Sequence, residues 1–280
     1  LKDYDFAFPS SSPFADKILR ANKPISTNAP FYSPIAIATF QPIVQVLSLV
    51  NVTKPNVGGY QSFDVGAYLQ LTKKGTRWDQ LPRNASYPAK KAVLVSTNDV
   101  RSSNAAAMYL AIGSYVANGN KPVSNEAEIN KVMPTIGRLF LGQGYSESWS
   151  ESSFEDYLAL GIGKTPMLLT YESQFLEYQL RKDASLAPDM VLMYPVPEVQ
   201  SKHIVINLTP GGARLGEALQ NDPELQRLAA KHGFRTINPA VFTEVTSGSG
   251  PTPPALLSQV IDPPRYEILE SMINHLAKLY

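Results

Sequence analysis

The sequence predicts an α/β fold with mostly parallel sheets flanked by helices. Short apolar, strand-like runs alternate with helix-length segments along the whole chain. Two of those runs end in polar turns that lead straight into good helix formers. One is Phe6-Ala-Phe-Pro-Ser-Ser-Ser-Pro-Phe-Ala-Asp16, and the other runs from Ala92-Val-Leu-Val-Ser96 to Ala105-Ala-Ala-Met108. The length, 280 residues with 44% apolar content, suffices for one large or two medium cores. No repeat of about 20–50 residues is visible, which sets solenoids aside.

The elements follow in order. Residues 5–8 read as a short buried strand. Ser12 is expected to cap the next helix, with Pro13 at its first position and Asp16 in its first turn, and Asn22-Lys-Pro24 should end it. Residues 33–40 are apolar and β-branched and read as a strand, and Gln41-Pro42 opens a short helix to Val50. A helix over 64–74 stops at Gly75. Residues 92–96 read as a second buried strand, followed by helices over 103–117, 126–141 (kinked at Pro134) and 152–160. Strands at 167–171 and 190–194 flank a helix over 174–181. A strand at 203–208 precedes helices at 212–219 and 223–232. Residues 245–254 have linker composition, and an amphipathic helix over 265–278 closes the chain.

Composition narrows the function classes. With 25 basic and 24 acidic residues the net charge is +1, against nucleic acid or an anionic membrane as main partner. There is no cysteine, so disulfides, thiolate metal sites and cysteine nucleophiles are excluded. His203, His232 and His275 lack metal-ligand spacing, and no metal or cofactor is expected. No nucleophile elbow or phosphate-binding loop pattern is present. The chain opens at Leu1 without a secretory leader, as expected of a processed or excised protein.

What remains is polar binding chemistry at strand ends. A helix start leaves backbone N–H groups unpaired and carries partial positive charge, so hydroxyls gathered there can hold an anion. Ser10, Ser11 and Ser12 are such a group. Thr97, Asn98, Ser102, Ser103 and Asn104 form another, and Arg101 could add a planar donor fork. Each group also has a plain reading as cap and turn. Tyr171, after the strand at 167–171, is a third candidate, as ligand donor or as core residue.

Four stretches, taken in order, resemble the type II periplasmic solute-binding proteins of ABC transporters. They are Asp5-Phe-Ala-Phe-Pro-Ser-Ser-Ser-Pro13, Ser33-Pro-Ile-Ala-Ile-Ala38, Trp78-Asp-Gln-Leu81 with the junction at 93–107, and Pro166 to Gln174 with Met190 to Pro195. The likeness is greatest to the branch related to molybdate-, tungstate- and sulfate-type binders, and it covers about residues 3–240. It implies a two-lobed fold, with residues 1–36 and 196–242 as the first lobe and 37–195 as the second. Residues 243–280 would be a linker plus C-terminal helix. In that family a strand, a helix and a strand precede the segment found here at 5–13, so the first lobe is expected to lack them. The apolar face of the last helix would then pack on that incomplete sheet.

The resemblance also implies a function. The chain would be a periplasmic or extracellular receptor, monomeric, holding a small polar and anionic ligand between its lobes for an ABC transporter permease. Any membrane anchor would lie in an N-terminus outside this chain. Ser10, Ser11 and Ser12 would touch the ligand from one lobe, Asn98 and Arg101 to Asn104 from the other, and Tyr171 from the rim. Two further readings stay open. One is a sensor or interaction module on the same fold. The other is an enzyme using the same cleft, for which Asp99 and Glu172 are the nearest acids.

Overall fold

The computed structural model describes residues 1, 3–56, 60–143, 150–181, 186–250, 253–257 and 259–280. In chain order the elements are β1 (Phe6–Ala7), α1 (Ser12–Ala21), β2 (Ser26–Phe40), α2 (Gln41–Ser48), β3 (Thr53–Pro55), β4 (Gln61–Asp64), α3 (Val65–Lys73), α4 (Asn104–Ala117), α5 (Glu126–Leu141), α6 (Ser150–Leu160), β5 (Met167–Tyr171), α7 (Glu172–Leu180), β6 (Met190–Val196), β7 (Gln200–Asn207), α8 (Pro210–Asn221), α9 (Pro223–Lys231), β8 (Arg235–Thr236), α10 (Pro239–Thr246) and α11 (Tyr266–Ala277). The linker expected at 245–254 includes residues 251 and 252, which lie outside the described residues.

Two compact units emerge. The first comprises Leu1–Pro34, Glu172–Ala184 and Gln200–Leu256. Its sheet is centred on β7, which pairs with β1 on one side and with β2 on the other, while β8 adds to β2 at Phe31 and Tyr32. Helices α1 and α8 pack against β7, and α9 links α8 to α10. Val205, Ile206, Ala15 and Ala230 are fully buried in its core.

The second unit comprises Ile35–Tyr171, Ser185–Val199 and Leu257–Tyr280. Here the C-terminal half of β2, buried from Ile35 to Phe40, pairs with β5 and β6, and β4 and β3 extend the sheet from β6. Helix α4 is buried without a break from Ala105 to Ser114. Its near-uniform apolarity is what a helix enclosed by α3, α5 and β5 requires.

The α/β class holds, but the expectation of mostly parallel sheets does not. Among the described residues, six of the seven strand pairings are antiparallel and only β4–β6 is parallel. Isolated parallel bridges join Ser96 to Leu168 and Glu198 to Val260. Alternation of strands and helices constrains neighbours in sequence. Pairing direction depends on which distant strands meet, and every partner of the 15-residue β2 runs opposite to it.

Three local expectations also change. The cap of α1 is Ser11, with Ser12 already helical and no acid in the first turn. Residues 92–96 do not form a strand of their own: bridges occur at Ala92 and Ser96. And α11 packs on α5 and α4 within the second unit, with Ser271 and His275 both bonded to Glu126. Its apolar face is therefore not reserved for a first-lobe sheet. Leu276 and Leu279 of the C-terminal segment lie beside Gly137 of α5.

Candidate functional site

In the first unit the serine turn is fixed from behind by β7. Phe6 and Ala7 pair with Asn207 and Ile206, the Ile204 N–H donates to the Pro9 carbonyl (3.0 Å), and the Ser201 hydroxyl donates to the Ser10 carbonyl. The chain reaches Ser11 in extended conformation (φ −156°, ψ 153°) and then turns into α1. Ser11 is the N-cap by position, but its hydroxyl makes no capping bond. It is 0% exposed, and its Oγ has no hydrogen-bond partner among the described residues. A buried hydroxyl left unsatisfied costs about 1–3 kcal/mol, and such groups are rare. With no acid in the first turn of α1, nothing local offsets the positive end of the helix. Ser10 and Ser12 flank this position, both half-buried.

In the second unit the corresponding junction is held by a relay of side chains. The buried Tyr68 hydroxyl accepts from the Val95 N–H (2.9 Å), and burial pushes that phenol up to about 12. Ser96 exchanges backbone bonds of 2.9 Å with Met167 and Leu169. Gln143 Oε1 accepts from the Thr97 N–H (2.7 Å), and its Nε2 donates to Thr97 Oγ1 (3.0 Å). Asn98, 2% exposed, donates through Nδ2 to Ser153 Oγ (2.8 Å). These supports were not legible in the sequence. Gln143 and Ser153 lie about 45–55 residues away and belong to no recognisable motif.

At the start of α4, Ser103 is the N-cap, and its Oγ accepts from the Ala106 N–H (3.3 Å). Asn104 Nδ2 donates to the Tyr171 hydroxyl (3.1 Å), so the last residue of β5 and the first of α4 meet, as the sequence could only suggest. Ser102 is exposed, and its hydroxyl leans on the Asp99 carbonyl (3.4 Å). Arg101 does not present an open fork. Its Nε donates to Asp99 (2.9 Å), a second bond joins Nη2 to the same carboxylate, and the guanidinium lies 5.4 Å from the Tyr280 ring. That neighbour holds the Asp99 carboxyl below its ordinary range and raises the arginine further.

The acids considered for catalysis are engaged structurally. Asp99 is the partner of Arg101, and Glu172 lies fully buried in a two-bond ion pair with Arg235 (2.6 and 2.8 Å). Of the histidines, His232 contacts Glu177 at a helix end, His275 contacts Glu126, and His203 sits among Phe8, Phe31 and Phe234 at centroid distances of 6.1, 5.3 and 5.2 Å. Among the described residues no group of three or more His, Cys, Asp or Glu side chains could hold a metal ion. No described helix is long and apolar enough to cross a membrane.

The chain shares the α/β fold of the periplasmic solute-binding proteins of ABC transporters. It is similar to the sulfate-binding protein SubI of Mycobacterium tuberculosis H37Rv, with TM-score 0.56 and 14% identity over 95% of this chain and 77% of that one. It is similar to a protein of Bordetella parapertussis assigned as an extracellular solute-binding protein, with TM-score 0.61 and 14% identity over 99% and 81% of the two chains. A third similar structure is the substrate-binding protein of an ABC transporter from Agrobacterium tumefaciens, with TM-score 0.57 and 14% identity over 98% and 78%. No protein-family model matches the chain, and no curated protein matches it.

Proposed function

We propose that this protein is an extracytoplasmic solute-binding protein, not an enzyme, and that it captures a small polar anion for an ABC transporter. The observation that carries this reading is the buried, unpartnered Ser11 hydroxyl at the start of α1. An oxyanion there would accept from Ser11 Oγ and from the first backbone N–H groups of the helix, which suits both chemistries. Each helix terminus contributes only about 0.3–2 kcal/mol, so several donors must converge for useful affinity. The start of α4 in the second unit, with Ser103, Asn104 and Tyr171, offers a further set of polar groups of the same kind. Arg101 contributes only if the ligand displaces Asp99. The fold shared with a sulfate-binding protein makes sulfate the first probe.

The test is calorimetric titration with sulfate, molybdate and phosphate, together with native mass spectrometry of the purified protein. The reading expects one of these anions, or a copurified organic anion, to bind at a single site. It expects Ser11→Ala and Ser103→Ala each to weaken that binding about tenfold or more. Tight binding left unchanged by both substitutions would refute the site. An absence of any anion, bound or copurified, would instead favour an interaction module on the same fold.

A further inference from the structure

The second unit contains a concavity that the proposed solute site does not use. Its volume is about 510 Å³, and Thr72, Leu94, Met133, Gly137, Leu141 and Leu279 are among the residues that line it. It exists because small residues surround it. Gly75 turns the chain away from the end of α3 in the left-handed region (φ 65°), where a side chain would be strained. Ala92, Pro134, Gly137 and Gly142 put no long side chain into the space between the 92–94 segment, α5 and the C-terminal residues. Met133 is buried at 6% exposure, whereas Leu141 and Leu279 are 37% and 57% exposed at the rim. The volume falls in the range of small-molecule sites, and the lining is mostly apolar with few polar groups.

One lining residue sets the chemistry. Arg138 is the charged group among the residues that form these walls. Its Nη1 donates to the Lys73 carbonyl at the end of α3 (2.8 Å), which fixes the guanidinium at the rim. Among the described residues it has no carboxylate partner, unlike Arg77, Arg101, Arg181, Arg227 and Arg235. A guanidinium anchored by one N–H keeps donors for a carboxylate, which it recognises better than any neutral head.

We propose that this concavity binds an amphipathic organic anion, an unbranched aliphatic carboxylate whose chain lies against Leu94, Met133 and Leu141 and whose head meets Arg138. The site is distinct from the proposed solute site: none of its lining residues is among Ser10–Ser12, Asn98, Arg101–Asn104 or Tyr171.

The test uses the whole chain with octanoate, 1-octanol and octylammonium as probes. Methyl NMR of the natural protein should show octanoate shifting the Met133, Leu94, Leu141 and Leu279 methyls, with a dissociation constant of about 1 mM or tighter. Arg138→Gln should weaken octanoate about tenfold and leave octanol within about twofold. Octylammonium should bind more weakly than either. Ala92→Phe, at an exposed wall position, should abolish binding of both octanoate and octanol, and Ser11→Ala should leave the octanoate shifts of these methyls unchanged. The proposal is overturned if those methyls do not move, if Arg138→Gln leaves octanoate unchanged or weakens octanol equally, or if Ser11→Ala removes octanoate binding. The methyl measurement on the natural chain decides the matter even if a variant fails to fold.

Discussion

Replacing Arg235 with methionine is expected to destabilise the first unit far more than an ordinary loss of an ion pair. Arg235 and Glu172 are 4% and 0% exposed at their side chains. The arginine donates to both carboxylate oxygens, at 2.6 and 2.8 Å, and to the carbonyls of Pro254 (2.6 Å) and Ala255 (3.2 Å). Its guanidinium also lies 4.7 Å from the Phe242 ring. Methionine keeps much of the volume but removes both arginine donors from the buried Glu172 carboxylate and the arginine bonds to two carbonyls. Removing one partner of such a buried pair costs about 3–5 kcal/mol, because the remaining charge loses its main compensation inside the protein. Urea unfolding gives about 1–3 kcal/mol per molar, so the midpoint of the transition should fall by about 1–5 M. The double variant Glu172→Gln with Arg235→Met should recover part of this loss, since the buried charge is then gone. Arg227→Ala is the control: that residue pairs with Glu244 at 47% and 62% exposure, and its loss should cost under about 1 kcal/mol. If Arg235→Met matched Arg227→Ala, the buried-pair reasoning would be wrong.

Other expectations follow from single contacts. Ser11→Ala should leave thermal stability unchanged or raise it by about 1 kcal/mol while weakening anion binding, because it removes a buried hydroxyl with no partner; a marked drop in melting temperature would show that the hydroxyl is bonded within the fold. Ser103→Ala, by contrast, removes a working cap and should cost about 0.5–2 kcal/mol. Gly233 has φ 77°, and an added Cβ would stand 2.4 Å from the Ser173 carbonyl oxygen, so Gly233→Ala should lower stability by about 2 kcal/mol or more in urea unfolding. His203 is held below the ordinary histidine range by burial among three phenylalanines. The unfolded chain thus binds the proton first: the His203 contribution is complete above about pH 6.5 and is lost as pH falls toward the lower folded value. Urea midpoints at pH 7.5 and 5.5 should differ less in His203→Phe than in the natural protein, and equal differences would exclude His203 as the cause.

Much of the helical architecture was legible because its signals are local. Ser103, Asn125, Asp222 with Pro223 and the glycine after α3 lie within one turn of the boundaries they set. The strands β3, β4 and β8 passed unnoticed, being two to four residues long and stabilised by partners elsewhere in the chain. Arg101 and Asp99 show the opposite case. They are only two residues apart, yet which group the guanidinium meets depends on the turn that carries them.

By itself, then, the sequence determined the α/β class, most helices and the two polar junctions, since caps, apolar runs and turn residues act over a few residues of chain. Tertiary structure alone decided the antiparallel pairing of β2, the packing of α11 on α5, the Glu172–Arg235 pair across 63 residues, and the isolation of the Ser11 hydroxyl. Each of those depends on which distant segments exclude water from one another, and burial is a property of the packed chain rather than of any stretch within it.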